Sequence, residues 1–432
     1  MTPRPPLDVW RLLAAADAAS PVEAVETVAT ELGTAFGAEA VSFLIADLSG
    51  RALIRLAHVP LRVHAGVDGN RRDSEEVATT VPFDGGPAEQ ALRTQTVQVL
   101  APEAAPGTAS GTSGRCQVLA PVTERGDVVG LLEITLATVP SAETVAAIAE
   151  VAHLMSYVVI ANRRHTDLFE WGQRSRPFTL SAEIQQRLLP QSRTCEAAAF
   201  TLAGWLEPAA SIGGDTFDYS LARDVLHLSL TDAMGHGVGS ALTATVCTAS
   251  LRGSRRRSAT LVEQVQEANT ALCEHASRGN EGDFATGLLA RVDLRTGILE
   301  LVNAGHVVPY LVRSGQVSTL AVRPDFPLGM FEDSIYTSTR VELIPGDRVV
   351  FVTDGMLERN VAQVNMPATL GDLRALHARE AVRAMADKAL EAAGHELADD
   401  ATVLCLDWHG HHDHDRSPIA GADPDRASNP VN

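Results

Sequence analysis

Lysine is all but missing from this 432-residue chain: Lys388 is the only one, a bias of composition rather than of function. Acidic residues outnumber Lys and Arg by 54 to 35, giving a formal charge of −19, and clusters such as Arg255-Arg256-Arg257 are short. Nucleic-acid partners need a basic stripe, so none is expected. Cysteine is sparse as well. Cys116, Cys195, Cys247, Cys273 and Cys405 are scattered, odd in number and free of any CxxC pair, a pattern that suits a reducing cytoplasm. None has an arginine six residues on, so there is no CxxxxxR cradle for a phosphate. Long apolar runs are also missing. No window of about 18 residues escapes polar interruption, so no membrane-spanning helix is expected. The opening MTPRPPLDVW lacks the apolar stretch of a signal peptide.

The length suggests two or three domains. Residues 6–35 read as helix, with Val22, Val25, Val28 and Leu32 at helical spacing. Strand-like runs follow at 40–46, 52–59, 115–124 and 128–136, and PEAAPGTASGTSG at 102–114 reads as a loop. One helix is expected over 141–170, with Thr144, Ile148, Val151, Met155 and Val159 on one face. This helix–strand–strand–loop–strand–strand–helix order, closed by GDVVGLLEI, resembles a GAF domain. That resemblance implies an α/β sensor domain working through a small molecule or through homodimerisation by its terminal helices. The expected boundaries are 1–165 for this domain, 166–192 for a linker with a switch-like helix, 193–409 for a strand-rich domain and 410–432 for a disordered tail. The helices at 141–170 and in QQRLLP either transmit a signal or serve as plain linker and packing helix.

In the strand-rich part, four stretches share one design: an acid at a strand end with little bulk beside it. SIGGDTFDYS holds Asp215 and Asp218, TDAMGHG holds Asp232, VVFVTDGMLER holds Asp354, and LADDATVLCL holds Asp399 and Asp400. Taken singly, each acid reads as a cap or turn residue. Taken together, carboxylates at the ends of interior strands repel one another unless a cation holds them. Hard divalent ions take such oxygen ligands. Gly214, Gly235, Gly237 and Gly355 leave room for close backbone approach and tight turns.

In order, QQRLLP, GGDTFD, TDAMGHG, FATG, NAGHVVPYL, FPLGM, PGDRVVFVTDGMLER and DDATVLCL resemble the stage II sporulation E-type branch of the metal-dependent serine/threonine phosphatases, the PPM or protein phosphatase 2C-like family. The resemblance implies an α+β chain whose second domain is an α-β-β-α sandwich. It places metal ligands at Asp215, Asp232, Asp354 and Asp399, at the Ala233 backbone carbonyl, and less firmly at Asp400. The family often has glycine where this chain has Thr231, tolerable unless φ there is positive. Thr402 is read as supporting the Asp399 loop, and Leu328-Gly329 and Gly346-Asp347 as turns that shape the site. His236 and His306 each have two readings, general acid or structural hydrogen-bonding residue.

The expected chemistry is hydrolysis of a phosphoserine or phosphothreonine ester with two Mn2+ or Mg2+ ions about 3.5–4 Å apart. The catalytic contribution of Asp215, Asp232, Asp354 and Asp399 would come through water that the ions activate. In the family the partner is a phosphorylated anti-anti-sigma protein, with no nucleic acid and no membrane. Two alternatives stand beside this reading: a catalytically silent regulatory module that keeps the fold, and another metallohydrolase such as a nuclease or nucleotide phosphatase.

Overall fold

The structure is a computed structural model that describes residues 8–47, 52–61, 80–82, 85–101, 115–173, 179–209, 213–277, 283–357, 364–394, 397–410 and 418–429. The expected loop at 102–114 lies outside them. The chain divides into two units, residues 1–177 with 417–432, and residues 178–416.

In the first unit the expected helix over 6–35 is two helices, α1 (Val9–Ala18) and α2 (Ala24–Phe36). Pro21 in the turn between them has no N–H to give a helix. The strands are β1 (Ala40–Ala46), β2 (Ala52–Pro60), β3 (Thr80–Pro82), β4 (Gln98–Leu100), β5 (Cys116–Glu124) and β6 (Asp127–Leu136), with α3 (Pro87–Thr94) between β3 and β4. They form one antiparallel sheet in the order β3-β2-β1-β6-β5-β4. The short β3, α3 and β4 had too little periodicity to be expected. The long helix stops early. α4 (Ala142–Asn162) ends where the Asn162 side chain bonds back to Val158 O (2.9 Å), and a separate α5 covers Leu168–Gly172. By length and composition α4 could cross a membrane, at 21 residues and mean hydropathy 1.7. Its Ile148, Val151, Ala152, Met155 and Val159 are instead buried with α2 on the face of the sheet that carries Val41, Phe43 and Ile45. Residues 418–429, in the stretch expected to be disordered, pack on this unit. Gly126 N–H donates to Gly421 O (3.1 Å) and Arg93 Nε to Asn429 O (2.8 Å). Backbone bonds and one buried alanine, Ala422, replace the apolar side chains that the stretch lacks.

Alternation builds the second unit. Along VVFV, Val349 and Phe351 enter one apolar cluster and Val350 and Val352 another. Along TVLCLDW, Leu404, Leu406 and Trp408 take the first side while Val403 and Cys405 take the second. A strand apolar on both faces must be covered on both. The elements are α6 (Leu180–Leu188), β7 (Thr194–Glu196), β8 (Phe200–Glu207), β9 (Asp215–Leu221), β10 (Val225–Ala233), α7 (Val238–Arg256), α8 (Leu261–Ala276), β11 (Ala285–Asp293), β12 (Ile298–Ala304), β13 (Tyr310–Arg313), β14 (Gln316–Thr319), β15 (Pro324–Asp325), β16 (Thr339–Glu342), β17 (Arg348–Val352), α9 (Met366–Asp372), α10 (Ala378–Ala392) and β18 (Ala401–Trp408). One sheet runs β15-β12-β11-β10-β9 with β16 also on β12; the other runs β14-β13-β17-β18-β8-β7. Their facing sides share a core with Phe217, Leu230, Leu288, Leu301, Phe351 and Leu404. Outside, α7 and α8 cover the first sheet and α9 and α10 the second. This is the α-β-β-α sandwich expected from the sequence. α7 is tied down at Asp218, whose carboxylate takes Arg252 (2.9 Å) and Arg255 (3.1 Å).

At the centre Gly204 of β8 lies under the ring of Phe217 in β9, where an added Cβ would sit 2.3 Å from the ring. Gly204→Ala is therefore expected to lower the stability of this unit by about 1–3 kcal/mol through overpacking. The measurement is a urea titration: a lower midpoint at unchanged slope is expected, and an unchanged midpoint would show that the sheets part freely there.

Candidate metal centre

Asp215 opens β9 and Asp232 lies near the end of β10, directly opposite each other in the antiparallel register. Asp354 begins the 3-10 turn that follows β17, and Asp399 and Asp400 immediately precede β18. The acids therefore come from both sheets at one end of the sandwich. Asp215 and Asp400 are buried, Asp232 and Asp399 half-buried, and Asp354 exposed.

The second sheet holds Asp215 in place. Its Oδ2 accepts hydrogen bonds from Thr353 Oγ1 (2.8 Å) and Thr402 Oγ1 (2.5 Å), and Thr353 Oγ1 in turn accepts from Thr402 N–H (3.0 Å). Thr402 thus serves Asp215 rather than the Asp399 loop. In Asp400 both carboxylate oxygens are engaged, by Gln185 Nε2 of α6 (2.5 Å) and by Ala209 N–H (2.8 Å). Gln185 Nε2 also reaches Asp215 O (2.9 Å). Asp399 Oδ1 accepts the Asp400 N–H (2.8 Å). Sequence reasoning noticed QQRLLP without giving Gln185 a role, and it passed over Thr353. Polar residues with such roles look like any others until the sheets face each other.

The glycines beside the acids are steric necessities. A Cβ at Gly214 would stand 2.4 Å from Ala233 O, and one at Gly355 would stand 2.0 Å from Asp400 O. Ala233 N–H donates to Gly214 O (3.1 Å), so β10 and the approach to β9 are locked at the carbonyl named as a ligand. Thr231 has no positive φ; its hydroxyl pairs with Thr216 Oγ1 (2.7 Å). Gly346-Asp347 does not shape the site. It lies at the far end of β17 from Asp354, beyond a strand five residues or about 17 Å long, where Asp347 holds Arg313 (2.6 Å).

The electrostatics show how close the acids are. Burial first, then Asp232 and Asp400, push the Asp215 carboxyl well above its ordinary value, against the hydrogen bonds from Thr402 and Thr353. Burial, then Asp354, Asp399 and Asp400, raise Asp232 to about 7. Burial and then Asp354 raise Asp399, and burial raises Asp400. Among the described residues, no three His, Cys, Asp or Glu side chains are gathered tightly enough to ligate one ion. The acids feel one another's charge without converging, as like charges do. The donor set fits a hard divalent cation: carboxylates and a backbone carbonyl, with no nitrogen or sulfur. Asp215, Asp232, Asp354, Asp399 and Ala233 O could hold it.

The two histidines part company. His306 is buried, and both its ring nitrogens are occupied. Nε2 faces Val352 O (3.2 Å), which can only accept, so Nε2 carries the proton and Nδ1 accepts from Thr286 Oγ1 (2.6 Å). Burial pushes its pKa down to about 4, against the Val352 bond and Asp354. A neutral, doubly bonded imidazole joins the two sheets, β11 to β17, and is not placed as a general acid. Asn303 fixes the turn beneath it, its Oδ1 accepting from His306 N–H (2.7 Å). His236 is exposed on the turn between β10 and α7, flanked by Gly235 (φ +94) and Gly237 (φ +76).

Residues 222–409 match the family described as Stage II sporulation protein E (SpoIIE). This segment is a SpoIIE domain. The matched span takes in Asp232, Asp354 and Asp399 and starts after Asp215. The chain is also similar to Phosphoserine phosphatase RsbP of Bacillus subtilis, 22% identical over 245 residues, 54% of this chain and 58% of that protein. It is similar to Protein IcfG of Synechocystis sp., 24% identical over 204 residues, 41% of this chain and 32% of that protein. The chain therefore spans less than two thirds of the length of either relative. Among solved structures, the RsbU and RsbW domains of Rv1364c from Mycobacterium tuberculosis align over 50% of this chain and 61% of theirs, at 22% identity and a TM-score of 0.43, a likeness too loose to carry an argument about the SpoIIE domain here.

Raised carboxyl pKa values give the metal-free chain a definite pH dependence. The folded state keeps protons that the unfolded chain releases near pH 4, so the cluster's contribution to stability falls as pH rises from about 4 to about 7. In thermal melts with chelator present, Tm is expected to fall across that window, and Asp232→Asn to flatten the fall. A wild-type curve matched by the variant at every pH would show that Asp232 does not feel its neighbours.

Proposed function

We propose that the SpoIIE domain is a metal-dependent protein serine/threonine phosphatase. The observation that carries this reading is the set of strand-end acids drawn from both sheets, with Asp232 raised by burial and then by Asp354, Asp399 and Asp400. Two Mn2+ or Mg2+ ions at Asp215, Asp232, Asp354, Asp399 and Ala233 O would supply a water of lowered pKa and screen the phosphate oxygens. The protein's own contribution is placement. Thr353 and Thr402 fix one oxygen of Asp215. Gln185 and Ala209 N–H hold Asp400, which keeps β18 and its leading Asp399 in position. Gly214 and Gly355 keep side-chain bulk out of the close backbone contacts beside the acids.

For substrate we infer a phosphoserine or phosphothreonine on a regulatory protein, of the anti-sigma-factor-antagonist class that the sequence resemblance implies. The first unit, a GAF-like sensor in this reading, regulates the activity through a ligand or through homodimerisation. No disulfide joins the five cysteines, four of them buried, which suits the cytoplasm.

The test is phosphate release from a phosphoserine protein, with and without Mn2+, for the wild type beside Asp232→Asn. Mn2+-dependent release, lost by about two orders of magnitude or more in the variant, is expected. Folded wild type that binds Mn2+ yet releases no phosphate would favour the catalytically silent module.

A further inference from the structure

Beside the acids, the SpoIIE domain displays apolar side chains on backbone that is firmly held. The segment after β15 returns to the site end of its sheet: Ala285 N–H donates to Leu328 O (2.9 Å) and Leu328 N–H to Ala285 O (2.8 Å). On the other flank of the same stretch, Met234 N–H donates to Phe284 O (2.9 Å). Met234, Phe284 and Gly329 therefore lie on three neighbouring chains, each about 4.8 Å from the next, and Met234 is two residues past Asp232. Asn269 of α8, fully buried, pins the segment. Its Nδ2 donates to Phe331 O (3.0 Å), and its Oδ1 accepts from Gly329 N–H (2.8 Å) and Tyr336 OH (3.0 Å). From this fixed backbone Ile335 is 80% exposed, Phe326 58% and Phe331 52%, with the two rings packed edge to face. Met234, Val238 and Leu242 are exposed as well, on the β10–α7 turn and the start of α7. Exposed Glu332 and Asp333 lie within the same segment.

Grouped apolar side chains on a pinned loop are a recognition surface rather than a loose tip. The site next to them selects the occupant. A phosphoserine side chain is short, so a main chain that delivers its phosphate to Asp232 must lie across the neighbouring surface. We propose that Phe326, Phe331 and Ile335, with Met234, Val238 and Leu242, form the docking surface for a protein substrate whose phosphoserine is flanked by apolar residues. This rests on the phosphatase reading and names its substrate class.

The test uses the full chain loaded with Mn2+ and measures kcat/KM on p-nitrophenyl phosphate and on two phosphoserine peptides, one flanked by leucines and one by serines. Wild type is expected to prefer the leucine peptide by about tenfold or more. The double variant Phe331→Ser, Ile335→Ser is expected to lose that preference while its rate on p-nitrophenyl phosphate stays unchanged. Both side chains are largely exposed, and an unchanged melting temperature checks that the variant is folded. A wild type that hydrolyses p-nitrophenyl phosphate without preferring leucine overturns the docking surface and leaves the phosphatase reading standing. So does a variant that keeps the preference. A variant that shifts the sedimentation coefficient overturns it in favour of a contact between two copies of the chain. A wild type inactive on every substrate sinks the phosphatase reading, and the docking surface with it.

Discussion

Acids brought together at one end of a two-sheet sandwich repel one another, and the fold keeps them there. Burial and mutual repulsion raise Asp215, Asp232 and Asp399 together. In water each would ionise near its ordinary value; here each makes the next harder to ionise. Such an arrangement is unfavourable for the empty fold and favourable once positive charge enters, the usual relation between stability and a built site.

The bonds that oppose this repulsion cross between the sheets. Asp215 belongs to β9, while the hydroxyls that hold it come from Thr353 and Thr402 beside β17 and β18. His306 makes a second crossing a short distance away, from Thr286 of β11 to Val352 O of β17. Between them the sheets meet through apolar side chains, among them Phe217, Phe351 and Leu404, and at the far end Arg313 of β13 donates to Glu342 O of β16 (2.8 Å). α6 reaches the site end through Gln185, which touches both Asp215 and Asp400.

The sequence was informative where chemistry and periodicity coincide. β17 and β18, apolar on both faces, and β10, apolar at alternate residues, were legible because each has an acid at one end with little bulk nearby, and with them Asp232, Asp354 and Asp399. Gly214 and Gly355 were legible for the same reason, since only a missing Cβ fits against Ala233 O and Asp400 O. What stayed hidden depends on the far side of a contact. Nothing local to Gln185, Thr353 or His306 states which strand will face it. The helix expected to run to residue 170 ends at Asn162, whose side chain bonds Val158 O (2.9 Å), and no break in the apolar spacing marks that end. Residues 418–429 looked structureless for want of apolar residues, yet their carbonyls accept from Gly126 N–H and from the Arg93 side chain.

Direct titration with Mn2+, followed by calorimetry near pH 7.5, asks whether the acids exist to hold cations. Binding of two ions per wild-type chain is expected, with Asp215→Asn and Asp232→Asn each weakening it by at least about tenfold. Wild-type binding no tighter than that of the two variants would contradict a metal centre at these acids, whatever the chain does.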